Sequence, residues 1–277
     1  MATDGTNRSW WTRRRTLVLV ISMLLFLPPL AFIPQLTADT NFCGTWCPRM
    51  FMVWRAGQSA LAWFGGLTRA WAGVGLVAAM LVTTLFLGRY WCSHLCPVAA
   101  PLELGSKFIP RSMKLDFSRT PAPWFRYGYL LVYFVAPALA LGSLCCSYCN
   151  FATVPRLFGA AFTSGDLAYF LRTQGIINLG LIAVLGLFSR GGRAYCNLLC
   201  PVGALDALSN RFAARFGKRV RVREGECNGC GSCTEVCPTW AIDVGETATI
   251  NQLSCMPCRQ CEGVCPTEAI YYGKKAS

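Results

Sequence analysis

Four apolar runs outline this chain: Leu17–Leu36, Trp71–Leu87, Tyr127–Leu144 and Gly175–Phe188, each near the ~20 residues that cross a bilayer. The polar segments between them are unevenly charged. Lys and Arg number four before the first run and six from Arg89 to Arg126, against three from Thr37 to Ala70 and two from Cys145 to Thr173. Positive residues stay on the cytoplasmic side, so both termini are expected in the cytoplasm of a bacterial inner membrane. Arg13-Arg14-Arg15 before the first run, with no clear small-x-small cleavage site after it, reads as a signal anchor. Pro28-Pro29 predicts a kink in that span. The stretch from Phe51 to Leu67, with Trp54, Arg55 and Trp63, predicts an outer interfacial helix.

Composition agrees: 54% of residues are hydrophobic and 14% charged, too apolar for an ordinary soluble protein. A net charge of +13 would suggest nucleic acid in a soluble domain, but here the basic residues crowd the ends of apolar runs. The lipid bilayer, and no nucleic acid, is the expected partner. His94 is the sole histidine and no CxxCH occurs, which excludes bis-histidine and c-type haem. Redox chemistry then rests on the seventeen cysteines.

Eight of them fall in two copies of C-x2-C-x2-C-x3-C-P: Cys227, Cys230, Cys233, Cys237 and Cys255, Cys258, Cys261, Cys265. In this spacing three thiolates of one run hold a cubane and the fourth comes from the other run. One [4Fe-4S] cluster is therefore assigned to Cys227, Cys230, Cys233 and Cys265, and a second to Cys255, Cys258, Cys261 and Cys237. Zinc would ask for two CxxC pairs with one longer gap. Gly229 and Gly231 allow sharp turns in the first copy, where the second has Met256-Pro257 and Arg259-Gln260; the two clusters should differ in exposure.

Of the other nine, eight form four C-x3-C pairs, Cys43/Cys47, Cys92/Cys96, Cys145/Cys149 and Cys196/Cys200, leaving one of the adjacent Cys145 and Cys146 spare. On a helix, positions i and i+4 share a face. The pairs recur at near-constant offsets and sit at span ends, the first and third outside, the second and fourth inside. An outer cluster is expected from Cys43, Cys47, Cys149 and Cys145 or Cys146, and an inner one from Cys92, Cys96, Cys196 and Cys200. Packing cysteines or outer disulfides are the alternatives, but neither requires a fourfold repeat of one spacing.

The fold expected is an α-helical membrane protein with four transmembrane helices as a duplicated two-helix unit, plus a C-terminal α+β two-cluster ferredoxin domain. A cytoplasmic tail occupies 1–16, the membrane domain 17–210, and a basic linker with the ferredoxin domain 211–277. The linker, Arg211 to Arg223, is expected to lie on anionic headgroups.

At Trp91-Cys92-Ser93-His94-Leu95-Cys96-Pro97 and Tyr195-Cys196-Asn197-Leu198-Leu199-Cys200-Pro201 the chain resembles the NapH-type membrane polyferredoxins, which are quinol dehydrogenase subunits related to NosR, MauN and CcoG ferredoxins. The resemblance implies electron transfer between a quinone pool or cytoplasmic donor and a redox partner outside, within a complex of other redox subunits. The outer pairs at Cys43/Cys47 and Cys145/Cys149 depart from that pattern. Face clusters separated by ~30 Å of hydrocarbon are too far apart for one efficient electron hop, so quinone is a candidate bridge. Quinol oxidation needs a proton acceptor; His94, with Glu103 near it in sequence, is the candidate, the alternative being a hydrogen bond from His94 to a cluster sulfur. The rival function is an accessory ferredoxin that supplies electrons for assembly or reactivation of a metalloenzyme, or for metal-ion reduction.

Overall fold

A computed structural model describes residues 14–26, 54, 57–141 and 148–274. Within them the apolar runs fold as helices: α1 over 14–26, α2 Ala60–Arg69, α3 Trp71–Leu87, α4 Ala99–Ser106, α5 Ala122–Ala138, α6 Asn150–Gly159, α7 Ser164–Phe170 and α8 Thr173–Ile182. A π turn at Ala183–Leu187 extends α8, and α9 (Ala194–Leu198) and α10 (Pro201–Phe212) follow. Punctuation sets the boundaries. The Ser59 hydroxyl accepts from the Ala62 amide at 3.2 Å to cap α2, and α5 starts directly after Pro121.

The third and fourth expected spans are placed with shifted ends. Tyr127–Leu144 becomes α5, which starts five residues earlier, and Gly175–Phe188 becomes α8 with its π turn. Trp71–Leu87 coincides with α3. Pro28-Pro29 and the rest of the first run lie outside the described residues. Among the described residues no single helix is long and apolar enough to cross a membrane. At 1.5 Å per residue, α3 reaches about 25 Å, short of a hydrocarbon core of about 30 Å. Two bent pairs pass the test together: α2 with α3, meeting at 83°, and α7 with α8, meeting at 81°. Of the interfacial helix expected over Phe51–Leu67, residues 51–53, 55 and 56 lie outside the described residues; the remainder falls largely in α2, the first limb of a bent pair. The apolar side chains have nowhere internal to go: Leu24, Leu25, Phe86, Trp124, Leu131 and Ile176 each turn more than half of their surface outward.

The C-terminal domain is α+β. Strand β1 (Arg219–Val222) pairs antiparallel with β4 (Ile270–Gly273), and β2 (Ile242–Val244) with β3 (Ala248–Ile250). Helices α11 (Ser232–Val236) and α12 (Gln260–Val264) pack on each other. An internal twofold repeat runs through it. Cys237-Pro238-Thr239-Trp240-Ala241-Ile242 matches Cys265-Pro266-Thr267-Glu268-Ala269-Ile270, and Trp240 and Glu268 share a left-handed backbone at φ 51° and 57°.

This domain caps the helices it follows. The Lys218 amide donates to the Phe86 carbonyl and the Tyr272 hydroxyl to the Leu87 carbonyl, both at 2.7 Å. These carbonyls end α3 and have no donor within it. Arg219 Nη2 reaches the Thr84 carbonyl at 2.8 Å. The expected headgroup-bound linker is accordingly corrected in part: 219–222 is β1, and Arg219 is buried because it serves the end of α3.

Candidate functional site

The eight ferredoxin cysteines gather into two sets. Cys227, Cys230, Cys233 and Cys265 line one cavity with about 300 Å³ of atom-free space, part of it open to solvent. Gly229 makes the loop feasible: its φ is 67°, and a Cβ there would sit 2.8 Å from the Glu246 carbonyl. Cys255, Cys258 and Cys261 form the second set with Cys237, all within electrostatic reach of one another. Burial first, and neighbouring sulfurs next, push the Cys255 thiol up. Each set has two buried cysteines, Cys233 and Cys265 in the first and Cys255 and Cys261 in the second. Only the first has an exposed one, Cys230, while Met256 beside the second is buried, so the first set reaches solvent and the second is the more inward. Amides of Ala248 and Ala241 point at the sulfurs of Cys227 and Cys237, each at 3.3 Å.

The four inner cysteines also come together, though not as i, i+4 pairs of one α-helix. Cys92 lies in a π turn, Trp91–Leu95, with Cys96 just past it; Cys196 lies in α9 and Cys200 caps α10. Pro97 and Pro201 favour breaking the helix before them. Cys96 is within electrostatic reach of Cys92, Cys196 and Cys200. Of the outer set, Cys43, Cys47, Cys145 and Cys146 lie outside the described residues, and Cys149 is the half-buried N-cap of α6.

Between the inner set and the second ferredoxin set lies a layer of buried arginine. Arg15, Arg89, Arg126, Arg193 and Arg219 are each at most 4% exposed, and the only buried carboxylates among the described residues are Glu103 and Asp206. Arg89 pairs with Asp206 at 3.2 Å; Glu103 takes Arg15 and Arg193, each at 2.6 Å. Arg89 and Arg193 each stand three residues before the first cysteine of a pair, and each bonds the acid of the other half. The remaining donors hold backbone. Arg193 Nη1 binds the Cys92 carbonyl at 2.7 Å, Arg15 Nε the Ser93 carbonyl at 3.1 Å, and Arg126 spans the Asn197 carbonyl (2.7 Å) and the Leu253 carbonyl (2.6 Å). Sequence reasoning missed this layer, although the shared Arg-x2-Cys-x3-Cys-Pro-Val pattern at Arg89 and Arg193 was available to signal it.

The layer is also a fit test for iron–sulfur clusters. Five buried guanidiniums against two carboxylates leave an excess of positive charge, which is costly without an anion close by. A cubane held by four thiolates is a net anion, and a four-cysteine set flanks each side. Among the described residues no group of three His, Cys, Asp or Glu side chains fits a single metal ion.

Neither proton-acceptor candidate is freely placed. Burial alone would raise Glu103, but Arg193 and Arg15 outweigh it and hold the carboxyl at about 2. His94 is buried and stacks on Tyr90 with ring centroids 4.0 Å apart.

Comparison with known proteins agrees with this chemistry. Residues 69–116 and 174–219 each match a family model described as a 4Fe-4S binding domain, and 226–269 match a 4Fe-4S dicluster domain. One model matching both halves supports the duplication. The chain is similar to the methylamine utilization ferredoxin-type protein MauN of Paracoccus denitrificans (strain Pd 1222), 32% identical over 180 residues, covering 60% of this chain and 55% of that protein. It is also similar to the putative electron transport protein YccM of Escherichia coli (strain K12), 29% identical over 196 residues, covering 60% and 54%. The chain spans about half the length of the curated relatives it matches. No solved structure matches it. The chain thus carries ferredoxin-type 4Fe-4S domains and is related to electron transport proteins.

Proposed function

We propose that the chain is a membrane iron–sulfur electron-transfer subunit of an oxidoreductase complex, NapH-like in layout. It carries electrons between a quinone pool or cytoplasmic donor and a redox partner on the periplasmic side. The observation that carries this reading is the arginine layer, which lies between two four-cysteine sets and bonds to the loops of both sides. [4Fe-4S] clusters, when bound, supply one-electron transfer at a potential set by hydrogen bonds to sulfur and by exposure.

The chain's own residues set those conditions. The Ala248 and Ala241 amides donate toward cluster-facing sulfurs, and burial around Cys255 and Cys261 excludes water from the inward set. Exposure at Cys230 leaves the first set accessible to a partner in solvent. The outward apolar side chains and the two bent helix pairs support a place in the bilayer.

Iron and acid-labile sulfide per chain, measured on anaerobically purified protein together with EPR of the reduced form, test the proposal. About sixteen irons are expected if inner and outer cysteines both ligate, and about twelve if the inner set alone joins the ferredoxin pair. About eight would confine the clusters to the ferredoxin domain and overturn the role of the inner cysteines.

A further inference from the structure

A second cavity lies between the helix ends and the ferredoxin domain. It holds about 550 Å³, within the range of small-molecule sites. The charges that line it, apart from Glu103, are Lys107, Arg111, Lys114, Asp116, Arg190 and Glu235. They do not cancel. Asp116 is taken by Arg190 at 3.1 Å, and Glu103 is held by Arg15 and Arg193 from behind the wall. Among the described residues Lys107 reaches only the neutral Thr16 hydroxyl, at 3.5 Å. Among the described residues Arg111 and Lys114 form no ion pair, and they stand close enough that Arg111 adds to the effect of burial in lowering Lys114 from its ordinary value. Three cations therefore face one carboxylate, Glu235, across a space large enough for a ligand.

We propose that this cavity binds a phosphate-bearing anion, supplied as a lipid headgroup or as a soluble phosphate. Phosphate suits it because a tetrahedral, multiply charged group can accept from a guanidinium fork and two ammonium groups at once. A single carboxylate would leave part of the excess uncompensated. Pro238 and Gln260, which also line it, adjoin Cys237 and Cys261 in sequence. A bound anion thus ties the 107–116 segment to the ferredoxin face beside the second cysteine set. The inference rests on the cavity and its charges, independently of electron transfer.

The test uses the full chain with its clusters in nanodiscs, in two arms. In phosphatidylcholine discs at low salt, pyrophosphate is titrated by calorimetry. In mixed discs, native mass spectrometry counts retained phosphatidylglycerol. One saturable site in either arm is expected, the positive arm naming the source. Arg111→Ala with Lys114→Ala should weaken it at least about tenfold, since two charge-assisted contacts to the anion are removed. Unchanged iron content confirms that the variant is intact; Lys107→Ala, at an exposed position, serves if the double variant loses iron. Absence of a site in both arms, or undiminished binding by an intact variant, would overturn the proposal.

Discussion

Glu103 is the residue on which most of the site depends, because two buried guanidiniums share its carboxylate. Glu103→Gln leaves Arg15 and Arg193 without a counter-charge, and breaking such a buried pair costs about 3–5 kcal/mol. A thermal melt of the purified variant should show the loss, together with reduced iron if the Cys92 loop shifts with Arg193. The pH dependence has a definite sign. Glu103 sits at about 2 in the folded chain, against an ordinary value of 4.5. Its stabilisation is therefore complete above 4.5 and declines as pH falls toward 2. The melting gap between wild type and Glu103→Gln should be constant near neutrality and narrow in acid; a gap that widens in acid would contradict the ion pairing. Gly191 is the second sensitive residue. Its φ is 88° and a Cβ there would overlap Pro238, which adjoins Cys237. Gly191→Ala should destabilise by about 1–3 kcal/mol from backbone strain alone, visible in the melt, with more lost to the clash.

At the scale of elements, the two halves are held together by exchange: the arginine of each half bonds the acid of the other. A double-mutant cycle checks this. Arg89→Gln and Asp206→Asn should each destabilise, and the double variant should lose less than their sum by about 0.5–3 kcal/mol, measured by thermal or denaturant unfolding. That exchange is not legible in the sequence, but the cysteine sets and much of the helix placement are. The spacing of cysteines picks out the sets 227, 230, 233, 265 and 255, 258, 261, 237 that the fold brings together, and the apolar run Trp71–Leu87 coincides with α3. What stayed hidden was tertiary. The C-x3-C spacing on its own predicts helical faces, but the prolines at 97 and 201 turn those segments into a π turn and a helix junction. Arg211 to Arg223 has the composition of a membrane-facing charge run, yet β pairing turns Arg219 inward to the last turn of α3. Charge alone does not tell a solvated arginine from a capping one.

For the whole molecule, the decisive question is whether the inner cysteines belong with the ferredoxin domain as one redox unit, and the contacts between them make a separable prediction. The loops bearing Cys92 and Cys196 are held by arginines rather than by the ferredoxin cysteines themselves, since Arg193 binds the Cys92 carbonyl and Arg126 the Asn197 carbonyl. Cys92→Ser or Cys196→Ser should therefore leave the docked ferredoxin domain in place, with the eight ferredoxin cysteines still gathered. Such a variant should lose about four irons per chain while keeping the reduced EPR signal of the ferredoxin pair. Cys258→Ser should instead disturb the inward ferredoxin set, because Cys258 lies there with Cys237 and Cys261. If quinol-linked electron flow persists at wild-type rate in Cys92→Ser membranes, the inner set lies off the path and the ferredoxin pair alone conducts. If flow stops while the ferredoxin signal remains, the arginine layer joins two working halves, and the buried positive charge between them has its electrostatic reason.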